Sequence, residues 1–461
     1  MYRQMPPSPT EWVIIHRYSH RIRELSVESP SLFSMLFLQA TSLHPSLLVP
    51  NLRALNWYPR ILPLTLSALS ILFIQRLLSP SLVSLNVTLS NLDDVTFQSF
   101  LANHPFLCPN LTSFDLNINR HEEVSRTIIE VLSRAIVRHE HLECLGISIP
   151  IDDVALTHIA MFPKLKELAL VLHPDKSKLH QVPIPSDTTP FRNVECLTLE
   201  VWDLSFVMTL LRSQDQVFRS FMLCCHCRRP APEVVNALFT ALASRQRTRS
   251  LRSITLIPAD FDVSWPRFPA AGLDPLATDN HLTHDVFRPL TSLCHLRKLV
   301  VELGHWFSID DDDLLSLTRN WPLLEILYLN CQKYVHAHPW RSAKYVTFKG
   351  LLSLLECCPN LDQLCLPLDA REVPVNTGDV ICNPALTHIY LPNSPINDPG
   401  SVGEILARHF PSVSELTWSF TPSRSPGSED GPDVKTYSKL WTKVDRFLQD
   451  RHLPHDNDPA S

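Results

Sequence analysis

The sequence has 461 residues, enough for roughly two or three ordinary domains or for one elongated repeat array. It contains only 9 glycines beside 39 prolines. Because glycine lets the backbone approach a phosphate closely, this scarcity argues against a nucleotide-binding loop. The formal net charge of −6 provides no basic excess for a phosphate backbone, so nucleic acid is not expected as a partner.

The amino-terminal residues, MYRQMPPSPTEW, contain no apolar run of the signal-peptide type, and residues 1–10 are predicted to be disordered. The most apolar stretch, ILPLTLSALSILFI (61–74), is shorter than the roughly 20 residues that a bilayer span needs. It is predicted to be a buried helix, and no membrane partner is expected. Without a secretion signal, the 12 cysteines are expected to be reduced thiols in an intracellular protein of the cytoplasm or nucleus, or both.

A six-residue apolar pattern, Leu-x-x-Leu-x-Leu, recurs along nearly the whole chain. Its copies start about 30 residues apart on average, slightly above the usual spacing of leucine-rich repeats. In chain order they are IRELSV (from Ile22), LRALNW (Leu52), LVSLNV (Leu82), LTSFDL (Leu111), LECLGI (Leu142), LKELAL (Leu165), VECLTL (Val194), FRSFML (Phe218), LRSITL (Leu251), LRKLVV (Leu296), LEILYL (Leu324), LDQLCL (Leu361), LTHIYL (Leu386) and VSELTW (Val413).

Each copy is predicted to be a strand followed by a returning helix. Positions 4 and 6 of the pattern face the same side of a strand and can enter a core. Proline stands shortly before eight of the copies, where it ends the preceding helix. The cysteine before that proline, at Cys108 and Cys358, is predicted to fill the core, because Val, Ser, Phe, Trp or Asn stands there in the other copies.

One strand and one helix cannot bury their apolar faces alone, but a stack of such units can. The predicted fold is therefore an α/β leucine-rich-repeat solenoid, a horseshoe-like arc of short parallel strands with outer helices, over residues 11–420. Residues 258–280 are predicted to be an insertion loop or a hinge. Residues 421–433 read as a polar linker, 434–450 as a helix that caps the array, and 451–461 as a disordered tail. A second insertion, 331–347, is more basic and aromatic.

No catalytic, cofactor or metal motif is found in the sequence, so the chain is not predicted to be an enzyme and no cofactor is expected. Two clusters need an interpretation. The run Asp310–Asp313 favours capping of a helix amino terminus over loose binding of a hard cation. Cys224, Cys225, His226 and Cys227 are consecutive; because they alternate in direction along a strand, they favour strand-end thiols over a zinc site.

The layout of the chain resembles the large set of fungal F-box proteins with leucine-rich repeats. The stretches that carry the resemblance are EWVIIHRYSHRIRELSV (11–27), FRPLTSLCHLRKLVVEL (287–303), IDDDDLLSLTRNWPLLEILYLN (309–330), VTFKGLLSLLECCPNLDQLCLPLD (346–369), HFPSVSELTW (409–418) and WTKVDRFL (441–448).

In that family, an amino-terminal F-box docks to the adaptor of a cullin-type ubiquitin ligase, and the repeat arc holds the protein to be ubiquitinated. Only ten residues precede Glu11 here, without an opening of the Leu-Pro-x-Glu-Ile kind. The resemblance therefore implies a receptor-like repeat domain without a visible docking module. A ligase adaptor is expected as a partner only if an F-box is encoded upstream, and no docking residue is carried over.

Function is expected on the strand face to which positions 3, 5 and 7 project. Among the position-5 residues of the last six copies, Tyr328, Tyr390 and Trp418 are predicted to bind a partner protein, since large exposed aromatic residues are typical of interfaces. Trp418 is alternatively covered by the terminal helix.

Position 2 carries Arg219, Arg252 and Arg297 in three successive copies, followed by Glu325 and Asp362. These arginines are predicted to form a partner-binding basic stripe. In the alternative interpretation, they pair with acidic neighbours in adjacent repeats, and such surface pairs are common and weak.

The sequence thus predicts a protein-recognition module of the substrate-receptor type. The alternative is a free-standing scaffold or inhibitor with no link to a ubiquitin ligase. The bound protein itself is not identified by the sequence, because the surface residues of a solenoid vary freely over a constant core.

Overall fold

The computed structural model divides the chain into two compact units, with the division at Trp202 and Asp203. Unit 1 consists mainly of residues 1–202, and unit 2 mainly of the residues that follow. The structure describes residues 8–28, 48–58, 64–90, 94–119, 124–172, 191–213, 218–226, 230–244, 250–259, 281–329, 344–374, 382–419 and 434–452.

Unit 1 contains seven parallel strands among its described residues, one from each of the first seven motif copies. Neighbours in the sequence are also neighbours in hydrogen bonding, as expected for stacked repeats. The strands are β1 (Glu24–Val27), β2 (Ala54–Trp57), β3 (Ser84–Ser90), β4 (Ser113–Asn119), β5 (Cys144–Ile147), β6 (Glu167–Leu172) and β7 (Cys196–Val201).

Helices lie before β1 and between several of these strands. They are α1 (Pro9–Ser19), α2 (Leu64–Leu77), α3 (Asp94–Leu107), α4 (Arg126–Val137) and α5 (Asp153–Ala160).

Two of the helices bear on sequence predictions. Helix α1 begins at Pro9, inside the segment predicted to be disordered, and Ser8 caps it by accepting a hydrogen bond from the N–H of Glu11. Residues 1–7 lie outside the described part. Helix α2 includes most of the apolar stretch 61–74 and buries Ile71 and Ile74, as predicted for a core helix. Within the described residues, no helix combines the length and the apolar character needed to cross a membrane.

Unit 2 repeats the same construction with the last seven motif copies. Among its described residues, the strands of the main sheet are β8 (Ser220–Cys225), β9 (Ser253–Pro258), β11 (Lys298–Val301), β13 (Ile326–Leu329), β15 (Gln363–Cys365), β17 (His388–Pro392) and β18 (Glu415–Ser419). Two short parallel pairs lie apart from that sheet: β10 (His281–Thr283) with β12 (Trp306–Ser308), and β14 (Val346–Thr347) with β16 (Leu368–Asp369).

The helices of unit 2 again alternate with strands. They are α6 (Leu204–Ser213), α7 (Pro232–Ala243), α8 (His284–Phe287) followed by a 3-10 turn at Arg288–Ser292, α9 (Asp311–Thr318), α10 (Phe348–Cys357), α11 (Pro399–His409) and α12 (Val434–His452). Of the predicted interruption 258–280, residues 260–280 lie outside the described residues, as do the linker 421–433, the tail 453–461 and most of the second insertion.

The core of both units forms as the motif predicts. Position 1 is buried in every copy except the first, and positions 4 and 6 alternate with half-exposed residues along most strands. The residue before the strand-preceding proline is buried in all eight copies that have this proline: Val49, Ser79, Cys108, Phe162, Trp321, Cys358, Asn383 and Phe410. The two cysteines are therefore core residues at a helix carboxyl end, as predicted.

Backbone and side-chain hydrogen bonds join successive repeats at the entry to most strands. The N–H of the position-2 residue donates to the position-2 carbonyl of the preceding copy, for example from Lys166 to Glu143 at 2.7 Å. Asparagine at the turn adds a second link, because Asn110 Nδ2 donates to the carbonyl of Pro80 at 2.8 Å. The same bond joins Asn193 to Pro163 at 2.6 Å. These repeated contacts, with the parallel strands and alternating helices, confirm the leucine-rich-repeat fold in each unit.

Helix α12 packs on the last repeat of unit 2. It contacts α11 and β18, and it buries Trp441 and Val444 completely. The Trp441 indole N–H donates to the carbonyl of Ser394 at 2.8 Å. Packing against α11 is close, since a Cβ on Gly403 would lie only 2.7 Å from a ring carbon of Phe447.

The expectation that all cysteines are reduced thiols is wrong for Cys225 and Cys365. Each of these two takes part in a disulfide bond, and the bonds are separate because four strand spacings lie between β8 and β15. Among the described residues, the cysteines outside disulfide bonds are Cys108, Cys144, Cys196, Cys224, Cys294, Cys357, Cys358 and Cys382. Linear sequence does not show which thiols approach each other in space, so spacing along one strand could not reveal these bonds.

Candidate functional site

The open face of the unit 2 strands carries two tyrosines in register. Strand pairing aligns position 5 across the sheet, so that Tyr328 lies beside Cys365 and Cys365 beside Tyr390. Neighbouring strands are about 4.8 Å apart, which places the two tyrosine backbones roughly 10 Å from each other. The structure therefore brings Tyr328 and Tyr390 onto one surface, as the motif register predicted.

Both phenols are held by hydrogen bonds to neighbouring strands. The Tyr328 hydroxyl donates to Oε1 of Gln363 at 2.8 Å, and the Tyr390 hydroxyl bonds with Oγ of Ser419. Both side chains remain half-buried. Fixed aromatic rings of this kind lose little conformational entropy when a partner covers them.

A carboxylate that the sequence analysis missed lies on the same face. Glu302 occupies position 7 of the LRKLVV copy, two residues beyond Val300 and on the same side of the chain. It is only 5% exposed, and burial raises its pKa to about 7. A glutamate at an open-face position directly after an apolar strand was the available signal.

Glu302 is electrostatically linked to both tyrosines. Burial raises the pKa of Tyr328, and the nearby charge of Glu302 raises it further. The pKa of Tyr390 is likewise raised by burial and by Glu302. We call Glu302, Tyr328 and Tyr390 the tyrosine–carboxylate patch.

The position-5 row is not open along its whole length. Thr255, Val300 and Cys365 are buried, with exposures of 8%, 6% and 0%. Tyr328 and Tyr390 are half-buried, as is Met222 beside Thr255, and Thr417 beside Tyr390 is exposed. A partner that lies across β13 to β17 therefore meets the two tyrosine rings.

Trp418 does not belong to this row. Strand pairing sets Thr417, not Trp418, beside Tyr390, and it sets Trp418 beside the buried Leu391. Trp418 is thus at position 6 of its copy, on the core-facing side, and the assignment to position 5 was wrong by one residue. A shift of one residue moves a side chain to the opposite face of a strand.

The three arginines of the basic stripe lie in one column and are exposed. The N–H of Arg252 donates to the carbonyl of Arg219, and that of Arg297 to the carbonyl of Arg252. Arg297 also pairs with Glu325, where Nη1 lies 2.7 Å from Oε1. This pair is the arrangement that the alternative interpretation expected, and in unit 1 Lys166 pairs with Glu143 in the same way.

Ion pairs with this much exposure contribute little to stability, typically about 0–1 kcal/mol. A partner can therefore exchange them for its own charges at small cost. The acidic side of the face continues with Asp362, which accepts a hydrogen bond from Thr387, and with Glu415, whose carboxylate is 3.3 Å from His388 Nε2.

Of the two clusters considered as metal sites, the aspartate run is explained by other contacts. Among the described residues, no group of three or more His, Cys, Asp and Glu side chains is arranged to hold a metal ion. Asp310 caps α9, and Lys344 lies 2.7 Å from Asp310 and 3.3 Å from Asp313. Asp311 accepts hydrogen bonds from the N–H and the hydroxyl of Thr347. In the other cluster, Cys227 lies outside the described residues.

The fold and the open strand face define the chain as a leucine-rich-repeat protein. No protein-family model matches the sequence, and no curated protein matches it. A search of solved structures finds a chain in the crystal structure of the Rad7 and Elc1 complex in yeast. The TM-score is 0.46 and the identity 14%, over 81% of this chain and 87% of that chain.

Proposed function

We propose that this protein is a recognition module that binds a partner protein on the open strand face of unit 2. The observation that carries the proposal is the tyrosine–carboxylate patch. Two hydrogen-bonded tyrosines stand in register two strands apart, and a buried carboxylate lies within electrostatic reach of both.

The chemistry of the patch suits protein binding. Tyrosine is enriched among the residues that dominate binding energy, because its ring buries much apolar area while its hydroxyl keeps a hydrogen bond. The exposed stripe of Arg219, Arg252 and Arg297 adds charge at the edge of the same face. Such rim charges act mainly on the association rate and on partner choice.

A binding role rather than a catalytic one is favoured by the state of the polar groups. Among the described groups on this face, Glu302 is the one whose pKa is raised to near neutral pH. No nucleophile with an oriented base accompanies it within the described residues, and the neighbouring hydroxyls are engaged in hydrogen bonds with Gln363 and Ser419.

The finer proposal is that the module acts as the substrate-receptor part of a ubiquitin ligase. It rests on the resemblance of the sequence to fungal F-box proteins with leucine-rich repeats. The alternative is a scaffold or inhibitor that binds its partner without a ligase. Recovery of a cullin and its adaptor with the chain favours the receptor, as does an F-box encoded in frame upstream of Met1.

Affinity capture followed by mass spectrometry tests the proposal. We expect the variant Tyr328→Ala/Tyr390→Ala to lose at least one protein that the wild-type chain retains, with at least about a tenfold drop in recovery. Circular dichroism and thermal unfolding check that the variant is folded. Both side chains are half-buried, so only a modest loss of stability is expected.

The matched control is Tyr58→Ala, which removes a partly exposed tyrosine from unit 1. It should retain the same proteins as the wild type. Equal recovery of all partners with the double variant would contradict the assignment of the binding surface to this patch.

A further inference from the structure

The first repeat of unit 1 leaves apolar side chains uncovered. Leu25 and Val27 hold positions 4 and 6 of β1 and are only half-buried. Their counterparts in β2, Leu55 and Trp57, are both 0% exposed. At position 1, Ile22 is 37% exposed, whereas position 1 is buried in the copies that follow.

Helix α1 also exposes apolar side chains. Val13, Ile14 and Tyr18 are 69%, 57% and 58% exposed. At about 100° per residue they lie within one side of the helix, and Arg17 falls between Val13 and Ile14 on that side. We call Val13, Ile14, Arg17, Tyr18 and Arg21 the end face.

The end face is basic as well as apolar. Arg17 and Arg21 are both exposed, and the Arg21 guanidinium lies 5.7 Å from the centre of the Tyr18 ring. The acidic residue of α1, Glu11, is engaged in the capping box with Ser8. An apolar surface with arginines inside it is complementary to apolar side chains flanked by carboxylates.

The last repeat of unit 2 shows which kind of element covers such a surface. There, the amphipathic helix α12 packs on the last repeat and buries Trp441, Val444 and Leu448. Within unit 1, α4 has helices α3 and α5 on its two sides. Among the described residues, no helix packs on the end face in this way.

We propose that the end face binds an amphipathic helix of another protein, one whose apolar stripe is flanked by Asp or Glu. Packing against Val13, Ile14 and Tyr18 supplies the apolar contact, and Arg17 and Arg21 pair with the acidic flanks. This surface is separate from the tyrosine–carboxylate patch, and it gives the module a second binding surface at the other end of its sequence.

The test measures binding of two synthetic peptides to the full chain by fluorescence anisotropy. Both are labelled amphipathic helices with the same leucine stripe, flanked by Glu in one and by Lys in the other. We expect the Glu peptide to bind with a Kd below ~0.1 mM, and the Lys peptide to bind at least about tenfold more weakly. Added salt should weaken the binding of the Glu peptide, because it screens the pairing of charges.

Two pairs of substitutions localise the site. We expect each pair to raise the Kd of the Glu peptide by about tenfold or more. The pairs are Val13→Glu/Ile14→Glu and Arg17→Glu/Arg21→Glu. The matched control is Val95→Glu/Val154→Glu, because these valines are 77% and 66% exposed on α3 and α5 of the same unit. All six positions are exposed, so the variants should fold, which circular dichroism checks.

Other occupants give different results. Absence of Glu-peptide binding, or equal loss in the control, overturns the proposal. So does binding to vesicles of phosphatidylcholine and phosphatidylserine without binding to the peptide, which would assign the end face to a membrane surface. A dimer in light scattering that Val13→Glu/Ile14→Glu dissociates would assign the face to a second copy of the chain.

Discussion

The residue three positions before each motif copy is buried in most repeats, and residues of several chemical types fill this place. Cys108 and Cys358 have pKa values raised to about 12 by burial, so both are neutral thiols that act as packing groups. His139 occupies the same place in its copy, three residues before Leu142, and is 2% exposed. A histidine there is the costlier choice, because it can acquire a charge.

His139 stacks on a second buried histidine in unit 1. The ring centroids of His104 and His139 are 5.2 Å apart, and both rings also lie against Phe114. Burial lowers the pKa of His104 to about 3, with a further contribution from His139, and burial lowers the pKa of His139 to about 4. Both imidazoles are therefore neutral in the folded protein at neutral pH.

This pair predicts a loss of stability in mild acid. The unfolded chain takes up protons below pH about 6.5, whereas the folded pair does not until pH about 4 and about 3. The stabilisation is therefore present above pH about 6.5 and is lost as the pH falls towards the folded values. Each histidine should contribute about 1.4 kcal/mol per pH unit in that interval.

The variant His139→Phe, which places at this position the residue found at Phe162, should flatten this dependence between about pH 7 and about pH 5. Urea denaturation at several pH values measures it. His141→Phe, at an exposed histidine two residues away, is the control and should keep the wild-type slope. An unchanged slope in His139→Phe would rule out His139 as a source of the dependence.

Among the elements, helix α9 shows how a charged run can be structural. The Asp310 carboxylate accepts a hydrogen bond from the N–H of Asp313 at 2.9 Å, and the Asp313 carboxylate accepts one from the N–H of Asp310. Asp312 is exposed. Four adjacent carboxylates thus have different roles, and this could not be read from their spacing alone.

Removal of the cap should destabilise unit 2 measurably. We expect Asp310→Ala to lower the free energy of unfolding by about 1 kcal/mol, because the first-turn N–H groups lose their acceptor. Asp312→Ala should stay within about 0.5 kcal/mol of the wild type. Chemical denaturation measures both. Stabilisation of the wild type by added Ca²⁺ or Mg²⁺, lost in Asp310→Ala, would instead favour the cation interpretation.

The strands could be located from the sequence because the motif repeats at almost constant internal spacing. Each copy fixes which residues enter the core, so the open face follows by alternation, and Tyr328 and Tyr390 were placed correctly. Alternation also means that an error of one residue reverses the face, as Trp418 shows. It also cannot report burial of an open-face residue such as Glu302, which depends on contacts from other parts of the chain.

At the scale of the whole chain, stacking predicts that stability is local. A repeat contacts its neighbours and little else, so a perturbation at one end should fade along the array. The sequence predicted a capping helix at 434–450, where the structure has α12. The exposure of the end face at α1 was not predicted, because it depends on which elements pack beside the helix, and periodicity carries no information on this.

Truncation of the Trp441 side chain tests this locality. Trp441 is 0% exposed and hydrogen-bonds to Ser394, so Trp441→Ala should cost unit 2 about 3–5 kcal/mol. Hydrogen exchange should then accelerate most in α11, β17 and β18, less in β8, and least in the strands of unit 1. Thr442→Ala, at the exposed neighbour, should leave exchange unchanged. A uniform increase from β1 to β18 would instead mean that the chain unfolds as a single cooperative unit, in which coupling between repeats is stronger than nearest-neighbour contacts provide.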